Sequence, residues 1–259
     1  MTTENFVTRG LTSLGFTVTA IDVGAGKTPD LLVSDETDSY LVEVKDKFPD
    51  PDVEERRLNA LNQSGTWDED EPLGFRNTIS SVVADGCEQL AAFDGGHRSF
   101  RLLWLHARSR HPDAQLEQFV ATLYGAVDLI DTGEIQGSVP ARPCYYFDFA
   151  GFFRHRDVLD GAFVSTDERG LLCLNPLSLR CESFRASRLF KSFPATCDPV
   201  EEETSGQAYI ADCDISRREV ASVLVFVRQK YGRAGLVDFK PVRYSAEAVV
   251  NREGSGKTV

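Results

Sequence analysis

The chain is poor in several residue types: one methionine, two tryptophans, no C-x-x-C pair among six cysteines, and 28 lysines and arginines against 40 aspartates and glutamates in 259 residues. Each shortage excludes something. The cysteines, at 87, 144, 173, 181, 197 and 213, lack the spacing of a structural zinc or iron–sulfur site and read as buried thiols of a reducing compartment. A formal charge of -12 argues against coating nucleic acid nonspecifically, because phosphate contacts need clustered bases. It leaves room for a local basic groove. No apolar run approaches the roughly 20 residues of a membrane-crossing helix, and the start, "MTTENFVTRG", lacks the basic and apolar regions of a signal peptide. The expectation is a soluble cytoplasmic protein with no membrane partner. Histidines 97, 106, 111 and 155 form no H-x-x-x-H pair, and no G-x-S-x-G elbow is present.

A phosphate loop is also missing, although Gly26-Lys27-Thr28 imitates the end of one. The first glycine of that motif makes its turn, and Ile21 occupies the position. Pro29 turns Thr28 away from helical angles, so the segment reads as strand, turn, strand. The second copy, Gly256-Lys257-Thr258, has Asn251 in the glycine position. No nucleotide cofactor is expected.

What is present is an alternating α/β pattern. Phe6, Val7, Leu11 and Leu14 recur at helical spacing behind a cap at Thr3. "FTVTAIDV", "DLLVSD" and "YLVEVKDKF" follow as strands, and "PDPDVEERRLNALNQSGTWDEDEPLG" as a mobile acidic excursion. A helix over 75–93, a strand "FRLLWLHA", a helix from Pro112 to Leu129 and a strand over 144–149 complete the first part. Later come a hairpin around 167–170, a short helix "SFRASRLFKSF", an exposed acidic link "DPVEEETSGQ", a longer helix "DISRREVASVLVFVRQKY" and a frayed tail.

Side chains alternate across a sheet. On the third strand, Tyr40, Val42, Val44 and Phe48 share a core face, while Leu41, Glu43, Lys45 and Lys47 share the other. A carboxylate and an ammonium two residues apart, following a Pro-Asp on the neighbouring strand, suit metal-assisted phosphodiester cleavage: paired carboxylates hold a hard cation and the lysine handles charge or water. Asp30 capping a turn and a solvated strand face carrying Glu43 and Lys45 are the plainer readings of the same residues.

Pro29-Asp30, twelve further residues, then Glu43-Val44-Lys45 resembles the PD-(D/E)xK nuclease signature, with spacing similar to Holliday-junction resolvases and RecB-like nucleases. The likeness covers Thr3 to about Ala107. It implies an α/β, restriction-endonuclease-like core, a mixed central sheet flanked by helices, over residues 1–150. Residues 151–259 would be an α+β extension for nucleic-acid binding or oligomerisation. The resemblance further implies a DNA endonuclease, as a homodimer, in which Asp30, Glu43 and the Val44 carbonyl bind Mg²⁺, with Mn²⁺ able to substitute. Lys45 would orient the attacking water. Glu4, the acid of the first helix, is a candidate additional ligand. Gln89 matches the glutamine of the Q-x-x-x-Y pattern found in some RecB-like members, with Phe93 at the tyrosine position. A catalytically silent nuclease-fold module that binds DNA or protein is the alternative.

Lys47 could meet phosphate from the active face. Arg185, Arg188 and Lys191, every third residue on one helix, form a candidate phosphate-tracking patch that Arg217, Arg218, Arg228 and Lys230 could extend. A solvated amphipathic helix explains the same spacing.

Overall fold

The computed structural model describes residues 2–22, 27–93, 99–133 and 140–249. Helix α1 (Thr3–Ser13) begins one residue ahead of expectation, with the Thr2 hydroxyl accepting from Asn5 N, and turns Val7 and Leu11 inward. Strands β1 (Thr17–Ala20), β2 (Leu31–Ser34) and β3 (Ser39–Lys47) form an antiparallel meander. Next come α2 (Pro51–Ser64), β4 (Thr66–Pro72), α3 (Asn77–Ala92), β5 (Phe100–Ala107), α4 (Pro112–Tyr124), β6 (Val127–Asp131), β7 (Arg142–Tyr145) and a short α5 (Gly151–Arg154). The chain continues through β8 (Gly161–Ser165), β9 (Gly170–Leu174), α6 (Cys181–Ala186), α7 (Arg188–Ser192), β10 (Thr196–Cys197) and α8 (Pro199–Thr204). It closes with β11 (Tyr209–Ile210), α9 (Val220–Tyr231), β12 (Leu236–Phe239) and β13 (Val242–Ala248).

The large sheet is mixed, in the order β1-β2-β3-β5-β8-β9-β10, with β3, β5 and β8 parallel. Helices cover both faces. Val7 and Leu11 of α1, with Phe184, Leu189 and Phe190, pack on Tyr40, Val42, Leu102 and Trp104. Ile79, Val83 and Leu90 of α3, with Phe119 and Leu123 of α4, pack on Leu41, Leu103, Leu105 and Val164. Central strands are therefore apolar on both sides, as parallel strands between helical layers must be. Strands from both sides of residue 150 share this sheet, because β8 pairs with β5. A second sheet, β11-β7-β6-β12, is covered by Val223 and Val227 of α9. Among the described residues no helix is long and apolar enough to cross a membrane.

Several elements differ from the sequence expectation, each for a local reason. The acidic excursion is ordered as α2 and β4. Asp50 caps the helix by accepting from Asp52 N, Pro51 occupies its first turn, and Gly65 closes it at φ 73°. β4 then pairs antiparallel with β13, far away in sequence, and its charge is met by Arg110, which bonds Glu54, Glu69 and Glu247. Helix α4 stops at Tyr124 instead of Leu129. Gly125 adopts φ 68° and sits so close to the Tyr146 carbonyl that no side chain fits there. β7 ends at Tyr145, and α9 starts at Val220. The "DPVEEETSGQ" link contains α8, capped by Asp198 accepting from Val200 N. Phe48 lies beyond β3 and is 60% exposed. Residues 23–26 of the phosphate-loop look-alike and the tail from 250 lie outside the described residues.

All six cysteines are free thiols, five of them buried. Burial pushes the Cys87 thiol up to about 12, which makes it a packing residue.

Candidate active site

The site begins with a turn. Asp35 Oδ1 accepts from Thr37 N and Asp38 N, both at 2.8 Å, an arrangement that closes the β2–β3 connection through local bonds alone. That turn fixes the register with Leu31 opposite Val42. One step outward, Asp30 faces Glu43 across the strands on the α3 side, where directly opposed side chains approach most closely. Asp30 Oδ2 also accepts from Val44 N at 2.7 Å, so its carboxylate takes a β3 amide beyond the paired register that ends with Leu31 opposite Val42. Ile21 N bonds the Asp30 carbonyl at 2.9 Å from the β1 side. Asp30 is thus fixed from both neighbouring strands.

Glu43 is 1% exposed. Its Oε1 takes the Lys45 ammonium at 2.7 Å and the Gln89 amide N–H from α3. Lys45 Nζ also donates to Gln89 Oε1 at 2.9 Å, so glutamate, lysine and glutamine close a ring of contacts. The other oxygen, Oε2, is buried with no donor in reach. The Asp30 carboxyl stands opposite, close enough for its charge to act on Glu43, and it too is an acceptor. Two carboxyls so placed need either a shared proton or a cation between them. Burial pushes the Glu43 carboxyl up to about 7, Asp30's charge adds to the rise, and Lys45 opposes it.

Gly86 permits this arrangement. It faces the sheet from α3, where an added methyl would run into Leu103 Cδ1 and come within 3.5 Å of Glu43 Cγ. Glycine inside a helix costs about 1 kcal/mol relative to alanine, and close packing is what it permits in return. Gly86→Ala is expected to destabilise the protein by about 1–3 kcal/mol and to displace Gln89 from Glu43. Thermal unfolding and initial cleavage rates measure both effects. The glycine was visible in the sequence as an interruption of an apolar helix, a signal of close approach.

Other expected residues lie elsewhere. Glu4 borders a cavity with Thr3, Asp46 and Arg108 on the α1 side of β3, across the strand from Glu43 and Lys45. Lys47 ends β3, and its carbonyl accepts from Arg108 N. The arginine patch is dispersed, because Ser187 breaks the expected helix into α6 and α7 and caps the second by accepting from Phe190 N. Arg185 is taken up by Asp198, at 2.6 Å, and by Glu182. Arg188 lies over the Phe16 ring and bonds the Leu14 carbonyl. Lys191 is exposed on α7. Arg217 bonds the Gly125 carbonyl, Arg228 the Leu236 carbonyl, and Lys230 the Ile210 carbonyl and Asp212. Arg218 is exposed. These bases stabilise the fold more than they present charge. Lys27 pairs with Glu88 of α3 at 2.5 Å, one residue before Gln89.

Among the described residues no group of three or more His, Cys, Asp or Glu converges to hold a metal ion. Asp30 and Glu43 make a two-carboxylate site, so the remaining oxygens of a hard cation's shell would come from backbone or water. Comparison with protein-family models, with curated proteins and with solved structures finds no match to the chain.

Proposed function

We propose that the chain is a divalent-metal-dependent nuclease that hydrolyses DNA phosphodiester bonds, built on a restriction-endonuclease-like core of α1, β1 to β3, α3 and β5. One observation carries this reading: the buried Glu43 carboxylate faces Asp30, keeps one oxygen without a donor, and touches Lys45 two residues along the same strand. A solvated strand face would leave Glu43 in water. A purely structural ion pair would satisfy both of its oxygens.

The donor set is all oxygen, which suits Mg²⁺ or Mn²⁺ rather than zinc. Held by Asp30, Glu43 and the Val44 carbonyl, the cation would supply charge stabilisation to the phosphate and lower the pKa of a water. Lys45, fixed by Glu43 and Gln89, supplies a positive charge for the non-bridging phosphate oxygens. Gln89 holds carboxylate and ammonium together, so neither must reorganise when substrate arrives.

The test is incubation of supercoiled, duplex, single-stranded and branched DNA with the protein in Mg²⁺, Mn²⁺ or chelator. Divalent-dependent cleavage by the wild type, absent in Lys45→Ala, is the expected result. DNA left intact by wild type and Lys45→Ala alike overturns the proposal, and DNA binding insensitive to Asp30→Ala and Glu43→Ala identifies a silent binding module instead.

A further inference from the structure

Beside the candidate active site runs a short ridge, "FAGFFRHR", from Phe149 to Arg156, in which Phe149, Phe153, Arg154 and Arg156 are exposed and Ala150, Gly151 and Phe152 are buried. Phe149 is 54% and Phe153 36% exposed, an unfavourable place for two large apolar rings. Phe149 is also held at φ 56°, the one non-glycine residue with positive φ among the described residues. Such backbone strain persists where the surroundings impose it, and clusters at functional positions. Each ring has an arginine over it: the Arg154 guanidinium is 5.6 Å from the Phe149 centroid, and Arg156 is 4.9 Å from that of Phe153. Among the described residues neither arginine joins a salt bridge, unlike Arg185, Arg110 and Arg180. Arg156 Nη1 donates to the Phe153 carbonyl at 2.8 Å, a neutral partner, so this is a local concentration of positive charge in a chain with an excess of acids.

The ridge packs against the helix that borders the site. Gly151 packs α5 against Val83 of α3 and Leu123 of α4 so closely that an added methyl would stand 3.3 Å from Val83. Helix α3 therefore carries the glutamine that orders Glu43 and Lys45 and supports the exposed rings.

We propose that this ridge binds single-stranded nucleic acid, by stacking unpaired bases on Phe149 and Phe153 while Arg154 and Arg156 meet the phosphates, and so delivers an unpaired strand to the nuclease site; the delivery step rests on the nuclease reading above. The ring centroids are 6.5 Å apart and inclined at 47°. That is wider than the roughly 3.4 Å step of a stacked strand, so the two rings suit bases separated from each other. A duplex conceals its base faces and offers phosphate, for which an acidic protein with two arginines on this ridge is a poor partner. Stacking depends much less on net charge and accepts any base.

The experiment is fluorescence anisotropy of a labelled oligothymidylate about 20 nucleotides long, and of a duplex of equal length, with the full chain in chelator so that cleavage is off. The wild type is expected to prefer the single strand. Phe149→Leu with Phe153→Leu, which keeps apolar bulk and removes the ring faces, lowers single-strand affinity by about tenfold or more, and the corresponding tyrosine pair restores it. Arg154→Gln with Arg156→Gln lowers the slope of log affinity against log salt by about 1.4. Unchanged circular dichroism and melting verify the fold of each variant. The proposal is overturned if the leucine pair binds as wild type, if wild type prefers duplex, or if the ridge instead mediates self-association with no nucleic-acid binding. Metal-dependent cleavage with an inert leucine pair removes the ridge alone, whereas intact stacking without any cleavage removes the nuclease alone.

Discussion

Glu43→Gln is expected to abolish divalent-dependent DNA cleavage, by at least about 10³-fold in single-turnover rate. The substitution is nearly isosteric, and the amide oxygen can still accept from Gln89 and Lys45, the contacts made by Glu43 Oε1. What it removes is the negative charge and the donor-free Oε2. Asp30→Asn is expected to match it, and the double variant to be little worse than either, because two carboxylates serving one cation act as a unit. Lys45→Ala should cost about 10²–10³-fold, the usual scale for one preorganised charge donor. Rate constants from supercoil nicking across a Mg²⁺ series measure all four. Multiplicative losses in the double variant would show that the two residues act separately.

The same substitution is expected to stabilise the protein when metal is absent. Burial raises the folded-state pKa of Glu43 from 4.5 to about 7, so the folded protein favours the protonated form. The stability this contributes is complete below the unfolded-state value and lost as pH rises through about 7. At pH about 8 the metal-free wild type therefore holds a buried charge beside Asp30, at a cost on the order of 2–3 kcal/mol. Glu43→Gln escapes that cost and should melt about 5 °C or more higher in chelator. Near pH 4 the advantage should disappear. Added Mn²⁺ should raise the wild-type melting temperature, by about 2.7 kcal/mol of stability at a hundredfold excess over the dissociation constant, and leave Glu43→Gln unmoved. A site whose carboxylates repel until something neutralises them trades stability for binding. A chelator-insensitive melting curve, identical in both proteins at pH 8, would contradict this account.

The legible parts of the site were those set by local chemistry. Asp30, Glu43 and Lys45 could be placed together because the Asp35 turn and the strand alternation fix a register over a dozen residues. Gln89 could be placed through the helix that follows. The helix stop at Gly125 was signalled by the glycine itself, and Ala126, Val127 and Leu129, apolar residues that suit helix or strand, concealed it. What could not be read depends on partners distant in sequence. β4 is a strand because β13 pairs with it, and the periodicity of Arg185, Arg188 and Lys191 gave no hint that Ser187 would cap a new helix or that Asp198 would take Arg185. Nor does composition reveal exposure: Phe149 and Phe153 lie in an aromatic run in which Phe152 is fully buried.

The central claim is that Asp30 and Glu43 together hold one divalent cation. Titration of Mn²⁺ into the protein at pH 8, with free ion followed by its electron paramagnetic resonance signal, tests it without reference to any substrate. The prediction is a single saturable site in wild type and in Lys45→Ala that is lost in both Asp30→Asn and Glu43→Gln. Equal Mn²⁺ binding by all four proteins, or none by the wild type, would contradict it.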